Sequence, residues 1–431
     1  MKSLHLARTQ LRDPLLRNSF LLALNVIIGA AAGFLYWTIA ARNYGPAAVG
    51  AASATTALIP LITTAASLGL AEMLVRHYAK SPNQMQMLTR SSMVVVSVAG
   101  LLATTWWAVA ASRAPLVEIA GGFRLYLLVF TAVITSAAGL LTTATMIAAR
   151  RPALILLETS AGALTKLVTL FVFRDHGAAG ILLSFTLGAT VTTTVGALVI
   201  LTQLRPRRSA VPAMERDHHH FALVNWISAI VSLGPRALAT TLIVWRAGTE
   251  AAAWVAVPLM TLPLLTMVPS VIGRTLFAEA SSHPERLQSM LKKAALTATA
   301  VTALGAGVVL AGAPTLLGIF GDRYATESST LLRLLAVAAV IAAPNYMLDV
   351  TLNVSGHRGG FLFTNVTGTV LFTTLLVLLS AHGAAGVGMA WVLGQGLYLA
   401  IAMTTWRVLS RRHRGLPAVD LPGEPEHQAL Q

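Results

Sequence analysis

Long, uninterrupted apolar runs dominate this chain, and the first of them covers residues 19–41. The hydrocarbon core of a bilayer is about 30 Å thick, so a helix needs about 20 apolar residues to cross it. The runs are continuous and rich in Ala and Leu, without the two-residue alternation of a membrane β-barrel. Only 11% of the residues are charged, against about 25% in soluble globular proteins. The sequence therefore predicts an all-α integral membrane protein and excludes a soluble globular one.

Matching the apolar runs to the membrane thickness gives twelve transmembrane spans. The predicted spans are 19–41, 47–71, 91–111, 125–149, 153–173, 178–201, 221–245, 251–273, 294–317, 331–352, 361–380 and 384–407. The first run is too long for the apolar region of a signal peptide, so we expect it to remain as a span.

The distribution of Lys and Arg predicts the orientation of the spans. With the N-terminus inside, 22 of the 31 Lys and Arg residues fall in inner segments, 7 in outer loops and 2 within spans. Basic residues concentrate in the cytoplasmic loops of membrane proteins. Both termini are therefore predicted to be cytoplasmic.

A repeated pentapeptide indicates that the chain consists of two copies of a six-span unit. HGAAG occurs at 176–180 and again at 382–386, and each copy is followed eight residues later by another glycine, Gly188 or Gly394. Each unit has an even number of spans, so both enter the membrane in the same direction, as in transporters with parallel repeats. The sequence predicts two parallel six-helix lobes. Further landmarks recur at an offset near 203: Arg42 with Arg246, Pro60 with Pro263, and Arg90 with Lys293.

The lobes are predicted at 1–204 and 221–408, joined by a cytoplasmic linker at 205–220 and followed by a cytoplasmic tail at 409–431. The linker is basic and contains two prolines, and the tail ends polar and acidic, which is typical of disordered segments. The linker ends with Asp217 and three histidines. Consecutive residues do not converge on one ion, so no metal site is predicted there. The chain has no Cys, which excludes thiolate sites and cysteine nucleophiles, and no cofactor is indicated.

Two cations lie within predicted spans, where an unpaired charge costs about 2.5–3.5 kcal/mol. Arg236 lies roughly 22 Å from the inner end of the seventh span, and Lys166 lies at a comparable depth in the fifth. With Arg42 and Arg246 at the outer mouth, they predict a cationic cleft that binds an anionic group, since Arg can grip phosphate bidentately. The alternatives for Lys166 are that it reaches the outer surface or pairs with Glu158.

Polar residues add to this predicted binding surface. Asn25 and Asn225, in the first spans of the two lobes, are expected to contribute to it, although small and polar residues also make ordinary helix contacts. Asp349 lies near the inner end of the tenth span, and we expect it at the membrane interface.

Several motifs resemble the polysaccharide transporter branch of the multidrug/oligosaccharidyl-lipid/polysaccharide (MOP) exporter superfamily. The segments with the clearest resemblance are NSFL at 18–21 and GFLYWTIAARNYGPAAVG at 33–50. The second half agrees, with LFAE at 276–279, LGIFGDRY at 317–324 and GHR at 356–358. The resemblance covers nearly the whole chain, but its motifs are diffuse and mostly apolar.

The resemblance implies a multi-pass flippase of the cytoplasmic (inner) membrane of a bacterium. It would move an undecaprenyl-pyrophosphate-linked oligosaccharide from the inner to the outer leaflet for surface-polysaccharide assembly. Its partners would be this lipid-linked anionic oligosaccharide, membrane lipids, and a polysaccharide polymerase and glycosyltransferases. No nucleic-acid partner is implied, and the scheme requires no enzyme activity. The cationic cleft is compatible with the pyrophosphate.

Three other interpretations stay open at this stage. A cation-coupled multidrug or small-solute exporter of the same superfamily would share the two-lobe architecture, and Glu158 is the carboxylate of the first lobe that could serve it. A major-facilitator transporter also has parallel halves, but its glycine/Asp-Arg loop is absent from residues 72–82. A membrane-embedded glycosyltransferase or a scaffold is disfavoured because the outer loops are short.

Overall fold

Helices account for nearly all of the chain described by the computed structural model, which covers residues 14–78, 81, 83–112, 122–204, 217–282, 287–355 and 357–414. The helices are α1 (Pro14–Asn43), α2 (Pro46–Ser67), α3 (Leu70–His77), α4 (Gln84–Ala111), α5 (Phe123–Ala148), α6 (Pro152–Val172), α7 (Gly177–Gln203), α8 (Asp217–Ser282), α9 (Leu287–Gly318), α10 (Asp322–Glu327), α11 (Ser329–Val354), α12 (Arg358–Leu379) and α13 (Gly383–Arg414).

Ten stretches of the described chain are long and apolar enough to cross a membrane. Two of them, Leu223–Gly273 and Gly359–Ser410, have 51 and 52 residues, enough for two spans each. Gly248, with φ 84° and ψ 177°, breaks α8 into a first arm (217–247) and a second arm (249–282). The turn Ser380–His382 divides the other stretch. The predicted all-α, multi-pass membrane fold is confirmed, with α1–α7 forming the N-lobe and α8–α13 the C-lobe.

Two predicted segment boundaries differ from the described helices. Helix α8 begins at Asp217, so the end of the predicted linker is helical, while 205–216 lie outside the described residues. Helix α13 continues to Arg414, beyond the predicted end of the lobe at 408, and 415–431 lie outside the described residues. Basic residues favour the last turns of a helix because they interact with its negative C-terminal end.

The repeated pentapeptides form the same turn twice. A short 3-10 turn ends at His176 or His382, and the next helix starts at Gly177 or Gly383. These glycines have φ of 53° and 65° with ψ of −140° and −143°, a backbone that residues with a Cβ rarely adopt. Both copies of the pentapeptide therefore form tight turns between helices.

The glycines that follow each pentapeptide let the last two long helices of each lobe approach closely. A Cβ on Gly188 would lie 2.8 Å from Cβ of Lys166, and one on Gly394 would lie 2.7 Å from Cδ2 of Phe372. Lys166 and Phe372 are themselves 206 residues apart, the spacing of the pentapeptides. The two lobes thus repeat this helix crossing as well as the turn.

The lobes pack against each other mainly through α2 and α8. At the point of closest approach, a Cβ on Gly50 would collide with the carbonyl oxygen of Thr249 and lie 2.9 Å from the backbone nitrogen of Ala253. Gly50 and Ala253 are separated by 203 residues, so equivalent positions of the two lobes meet here. Absence of a side chain at residue 50 is therefore required for this contact.

We expect Gly50→Val to separate α2 from α8 and to destabilise the protein by about 1–3 kcal/mol or more, the usual cost of overpacking. The measurement is thermal unfolding and size-exclusion behaviour in detergent. Gly29→Val is the matched control, because no atom lies within 4 Å of a Cβ at residue 29. Equal unfolding temperatures for the two variants would contradict this packing.

Candidate transport site

A cavity of 370 Å³ lies between the two lobes. Helices α1, α2 and α7 of the N-lobe and both arms of α8 surround it, and its walls are mainly aliphatic and aromatic. The equivalent prolines of the repeat, Pro60 and Pro263, both line it. We call this space the interlobe cavity. Its lining includes Phe34, Trp37, Ser53, Thr56, Phe185, Leu233, Arg236, Thr240, Met260 and Leu264.

A second cavity, of 280 Å³, lies within the C-lobe between α8, α11, α12 and α13. Most of its lining side chains carry oxygen or nitrogen atoms. We call it the C-lobe cavity. Its polar lining includes Ser232, Thr266, Asn345, Tyr346, Asp349, Asn365, Thr369, Gln395 and Tyr398. Arg236 and Pro263 line both cavities and therefore stand at their junction.

Arg236 is held at this junction by a carbonyl that a proline leaves free. In a helix the N–H of residue 263 would bond the carbonyl of Leu259, but Pro263 has no N–H. The Nη2 of Arg236 donates to that carbonyl oxygen at 3.1 Å. Freed carbonyls inside membranes are tolerated when a neighbour satisfies them. The rest of the guanidinium remains available to a ligand, because the side chain is exposed where it lines the cavities.

Arg42 ties the lobes together at the predicted outer end of the cavity. Its Nε donates to the carbonyl of Ile319 at 2.5 Å and its Nη2 to that of Gly318 at 3.4 Å. These carbonyls lie at the C-terminal end of α9, where helix carbonyls lack intrahelical partners and favour cations. Phe34 packs edge-on against Phe320 beside them, with ring centroids 5.3 Å apart. We call these contacts the outer tie.

A hydrogen bond ties the lobes at the predicted inner end. The indole Nε1 of Trp226, in the first arm of α8, donates to the carbonyl of Thr64 at 2.8 Å. Helix α2 ends three residues later, where Leu68 has φ 48° and directs its N–H to the carbonyl of Ala65. The carbonyl of Thr64 therefore lacks its usual backbone donor, and it also accepts from the Ser67 hydroxyl at 2.8 Å. We call this contact the inner tie. The interlobe cavity lies between the two ties.

Lys166 lies inside the N-lobe and does not line either of these cavities. Its Nζ is 5.5 Å from the centroid of the Tyr36 ring, a cation–π distance. The hydroxyl of Tyr36 donates to the carbonyl of Ile181 and contacts Ser184, which fixes the ring. The structure thus places Lys166 apart from Arg236, and it is not paired with Glu158.

The remaining predicted site residues also lie away from both cavities. Arg246 is exposed near the predicted outer end of the first arm of α8. Asn25 is half-buried in α1, and its Oδ1 has no hydrogen-bond partner. Asn225 is half-buried near the predicted inner end of α8. Of the six predicted residues, Arg236 is the one that the structure brings to the junction.

Asp349, which the sequence places at the membrane interface, directs its carboxylate to the C-lobe cavity. Its Oδ1 accepts from the hydroxyl of Tyr398 at 2.8 Å and from Nδ2 of Asn365 at 3.4 Å. The sequence predicted how far Asp349 lies from the end of its helix. It did not predict which other helices pack around the carboxylate. The signal that sequence reasoning missed is the set of polar residues on α12 and α13 that meet it.

Glu158 forms a comparable polar cluster in the N-lobe. Thr143 donates to its Oε1 at 2.6 Å and Thr142 to its Oε2 at 3.3 Å. Asp349 follows Thr143 by the 206-residue repeat, so each lobe holds one buried carboxylate between its fourth and fifth spans. Among the described residues, neither carboxylate has a cation at ion-pair distance. Both can therefore exchange a proton or accept a cation.

Solved transporters share this fold. A multidrug resistance MATE family transporter of the MOP superfamily, in an inward-facing conformation, matches with a TM-score of 0.66 and 13% identity over 90% of this chain and 96% of that chain. An outward-facing one gives 0.56 and 17%, over 94% and 98%. The lipid II flippase MurJ, in an inward closed conformation, gives 0.70 and 10%, over 90% and 87%.

No protein-family model and no curated protein sequence matches the chain. At these low identities the structural likeness shows the fold: this chain has the two-lobed fold of MOP-superfamily transporters. The neighbours are transporters and a flippase, and not enzymes.

We expect loss of the inner tie and loss of the outer tie to open the interlobe cavity to opposite sides of the membrane. Because the chain has no native Cys, a single cysteine at Ala57, which lines the cavity, reports on access to an impermeant maleimide. We expect Trp226→Phe to raise labelling from the inner side and Arg42→Ala to raise it from the outer side. A shift of about 2–10-fold corresponds to loss of a hydrogen bond worth 0.5–1.5 kcal/mol.

A cysteine at Ala54, which is fully buried, is the matched control and should stay unlabelled in every background. If both tie variants raise labelling from the same side, or neither changes it, these contacts do not control access.

Proposed function

We propose that this protein is a flippase that moves a polyprenyl-pyrophosphate-linked oligosaccharide from the inner to the outer leaflet of a bacterial cytoplasmic membrane for cell-surface polysaccharide assembly. The observation that carries the proposal is the position of Arg236. It is a permanent cation deep in the membrane, at the junction of an apolar and a polar cavity. A lipid-linked glycan has parts that match this arrangement: an anionic pyrophosphate lies between an apolar chain and a polar sugar.

The physical basis is the low dielectric of the bilayer. An unpaired cation there is costly, so a site that keeps Arg236 accessible favours binding of an anion. Pyrophosphate suits it because a guanidinium donates two parallel hydrogen bonds to phosphate oxygens. The bond to Leu259 fixes one edge of the guanidinium and lowers the entropy lost on binding.

Alternating access follows from the two ties. In the described state the outer tie and the inner tie both join the lobes, at opposite ends of the interlobe cavity. Breaking one while keeping the other would open the cavity to one side at a time. Opening the inner end breaks the hydrogen bond from Trp226 to Thr64. Opening the outer end also separates Phe34 from Phe320 and the buried apolar cluster around Phe320, so a ligand would have to offset that cost by binding the open state more tightly.

A cation-coupled multidrug or small-solute exporter remains the second candidate, and the buried carboxylates of Glu158 and Asp349 favour it. Such an exporter would bind organic cations or neutral drugs and would gain nothing from Arg236. The two functions therefore differ in the sign of the substrate charge. Transport of anionic prenyl lipids supports the flippase, and transport of cationic drugs supports the exporter.

The function is tested in cells of the host by deleting the protein and analysing its lipids. We expect a polyprenyl-linked glycan to accumulate with its sugar on the inner leaflet, protected from impermeant glycosidases. Re-expression of the protein should then return the glycan of this lipid to the outer leaflet. An unchanged lipid-linked pool together with increased drug sensitivity would contradict the flippase and support the exporter.

We expect Arg236→Ala to lower lipid translocation at least about 10-fold, since a hydrogen bond to a charged group contributes about 1.5–3 kcal/mol. Arg236→Lys should retain part of the activity, because Lys keeps the charge without the bidentate geometry. The measurement is translocation in proteoliposomes containing equal amounts of each variant.

Arg333→Ala is the matched control. Arg333 also donates to a helix carbonyl, that of Leu310 at 3.3 Å, but it is exposed and lines neither cavity. Unchanged translocation by Arg236→Ala, or an equal loss in both variants, would remove Arg236 from the mechanism.

A further inference from the structure

The two cavities that meet at Arg236 differ in chemistry. The interlobe cavity is lined largely by apolar side chains such as Phe34, Trp37, Leu233 and Leu264. The C-lobe cavity is lined by amides, hydroxyls and a carboxylate. Because Arg236 belongs to both linings, a ligand bound to its guanidinium can extend directly into either space.

A lipid-linked glycan has an apolar chain on one side of its pyrophosphate and a sugar on the other. The first sugar is bonded to the terminal phosphate through a single oxygen atom. If Arg236 holds the pyrophosphate, this sugar must lie in a space that adjoins the guanidinium. Of the two adjoining spaces the C-lobe cavity is the polar one, and burying sugar hydroxyls against apolar walls would cost free energy.

The C-lobe cavity also contains an acceptor that lacks a donor. Asn345 is 4% exposed, and its Oδ1 has no hydrogen-bond partner. Its Nδ2 is fully used, since it donates to Oε1 of Gln395 at 2.9 Å and to the backbone oxygen of Gln395 at 3.2 Å. A buried acceptor without a partner is rare and costs about 1–3 kcal/mol. A ligand that donates an O–H or N–H would remove this cost.

Aromatic side chains complete the lining beside these polar groups. Trp391 packs edge-on against Phe372 with ring centroids 4.8 Å apart. Tyr346 is 37% exposed and lines the cavity. A mixture of aromatic surface and a few placed polar groups is typical of small-molecule sites. A pyranose ring, with C–H faces and a rim of hydroxyls, matches both parts of this lining.

We propose that the C-lobe cavity binds the sugar attached directly to the pyrophosphate. The Oδ1 of Asn345 accepts a hydrogen bond from a hydroxyl or amide N–H of that sugar, and Asp349 offers a second acceptor. Tyr346 contacts the ring and donates its hydroxyl to a sugar oxygen. The apolar chain extends on the interlobe side of Arg236. This assignment rests on the proposed flippase function, and it makes the C-lobe the part of the protein that selects the glycan.

The test compares probes that differ only in the sugar. Proteoliposomes are supplied with heptaprenyl pyrophosphate carrying no sugar, N-acetylglucosamine, glucose or galactose, and translocation is measured for wild type, Asn345→Leu and Tyr346→Phe. For at least one sugar-bearing probe we expect Asn345→Leu to lower translocation about 5-fold or more, and Tyr346→Phe to lower it less. For the sugar-free probe both variants should stay within about 2-fold of wild type.

Tyr126→Phe is the matched control, because the Tyr126 hydroxyl contacts Thr104 in the N-lobe, away from both cavities. Tyr346→Phe removes only a hydroxyl, so it keeps the test decisive if Asn345→Leu does not fold. Equal losses for sugar-bearing and sugar-free probes, or losses that disappear on changing sodium concentration or pH, would overturn the sugar site and leave the flippase intact. If wild type moves none of the probes, both the flippase function and the sugar site fail.

Discussion

The hydrogen bond from Arg236 to the carbonyl of Leu259 is the interaction on which the candidate site depends. It exists because Pro263 cannot donate to that carbonyl, and it allows a guanidinium to remain deep in the membrane with part of its donor set unused. One proline therefore leaves a carbonyl free, lines both cavities and orients their shared cation. The remaining donors of Arg236 define where an anion can bind.

The same principle, a side chain donating to a carbonyl that lacks its helical partner, recurs at the two ties. Arg42 reaches the end of α9 and Trp226 reaches the end of α2. Carbonyls of this kind are few in a helical membrane protein, because nearly all others are satisfied within their helix. They give the lobes specific attachments at both ends, beside the buried apolar cluster that packs around Phe320 at the outer end.

The sequence predicted the architecture well because its signals are physical requirements of the membrane. Span length follows from bilayer thickness, and the repeated HGAAG marks turns where Gly177 and Gly383 need positive φ. Arg236 was predicted as a site residue from its depth alone. Depth did not predict which cations lie together. Lys166 has a predicted depth similar to that of Arg236, but it lies against Tyr36 inside the N-lobe. Phe372 occupies the equivalent repeat position in the C-lobe. The surroundings of Asp349 were not predicted either, because the packing of the helices determines that its carboxylate faces a cavity.

A double-mutant cycle between Pro263 and Arg236 tests the central claim most directly. The observable is the affinity for geranylgeranyl pyrophosphate, measured by calorimetry on protein in nanodiscs. Pro263→Ala restores a donor to Leu259 and should weaken binding by releasing the guanidinium, whereas in an Arg236→Ala background the same change should have no further effect. Additive effects of the two substitutions, or undiminished affinity in Pro263→Ala, would contradict the account.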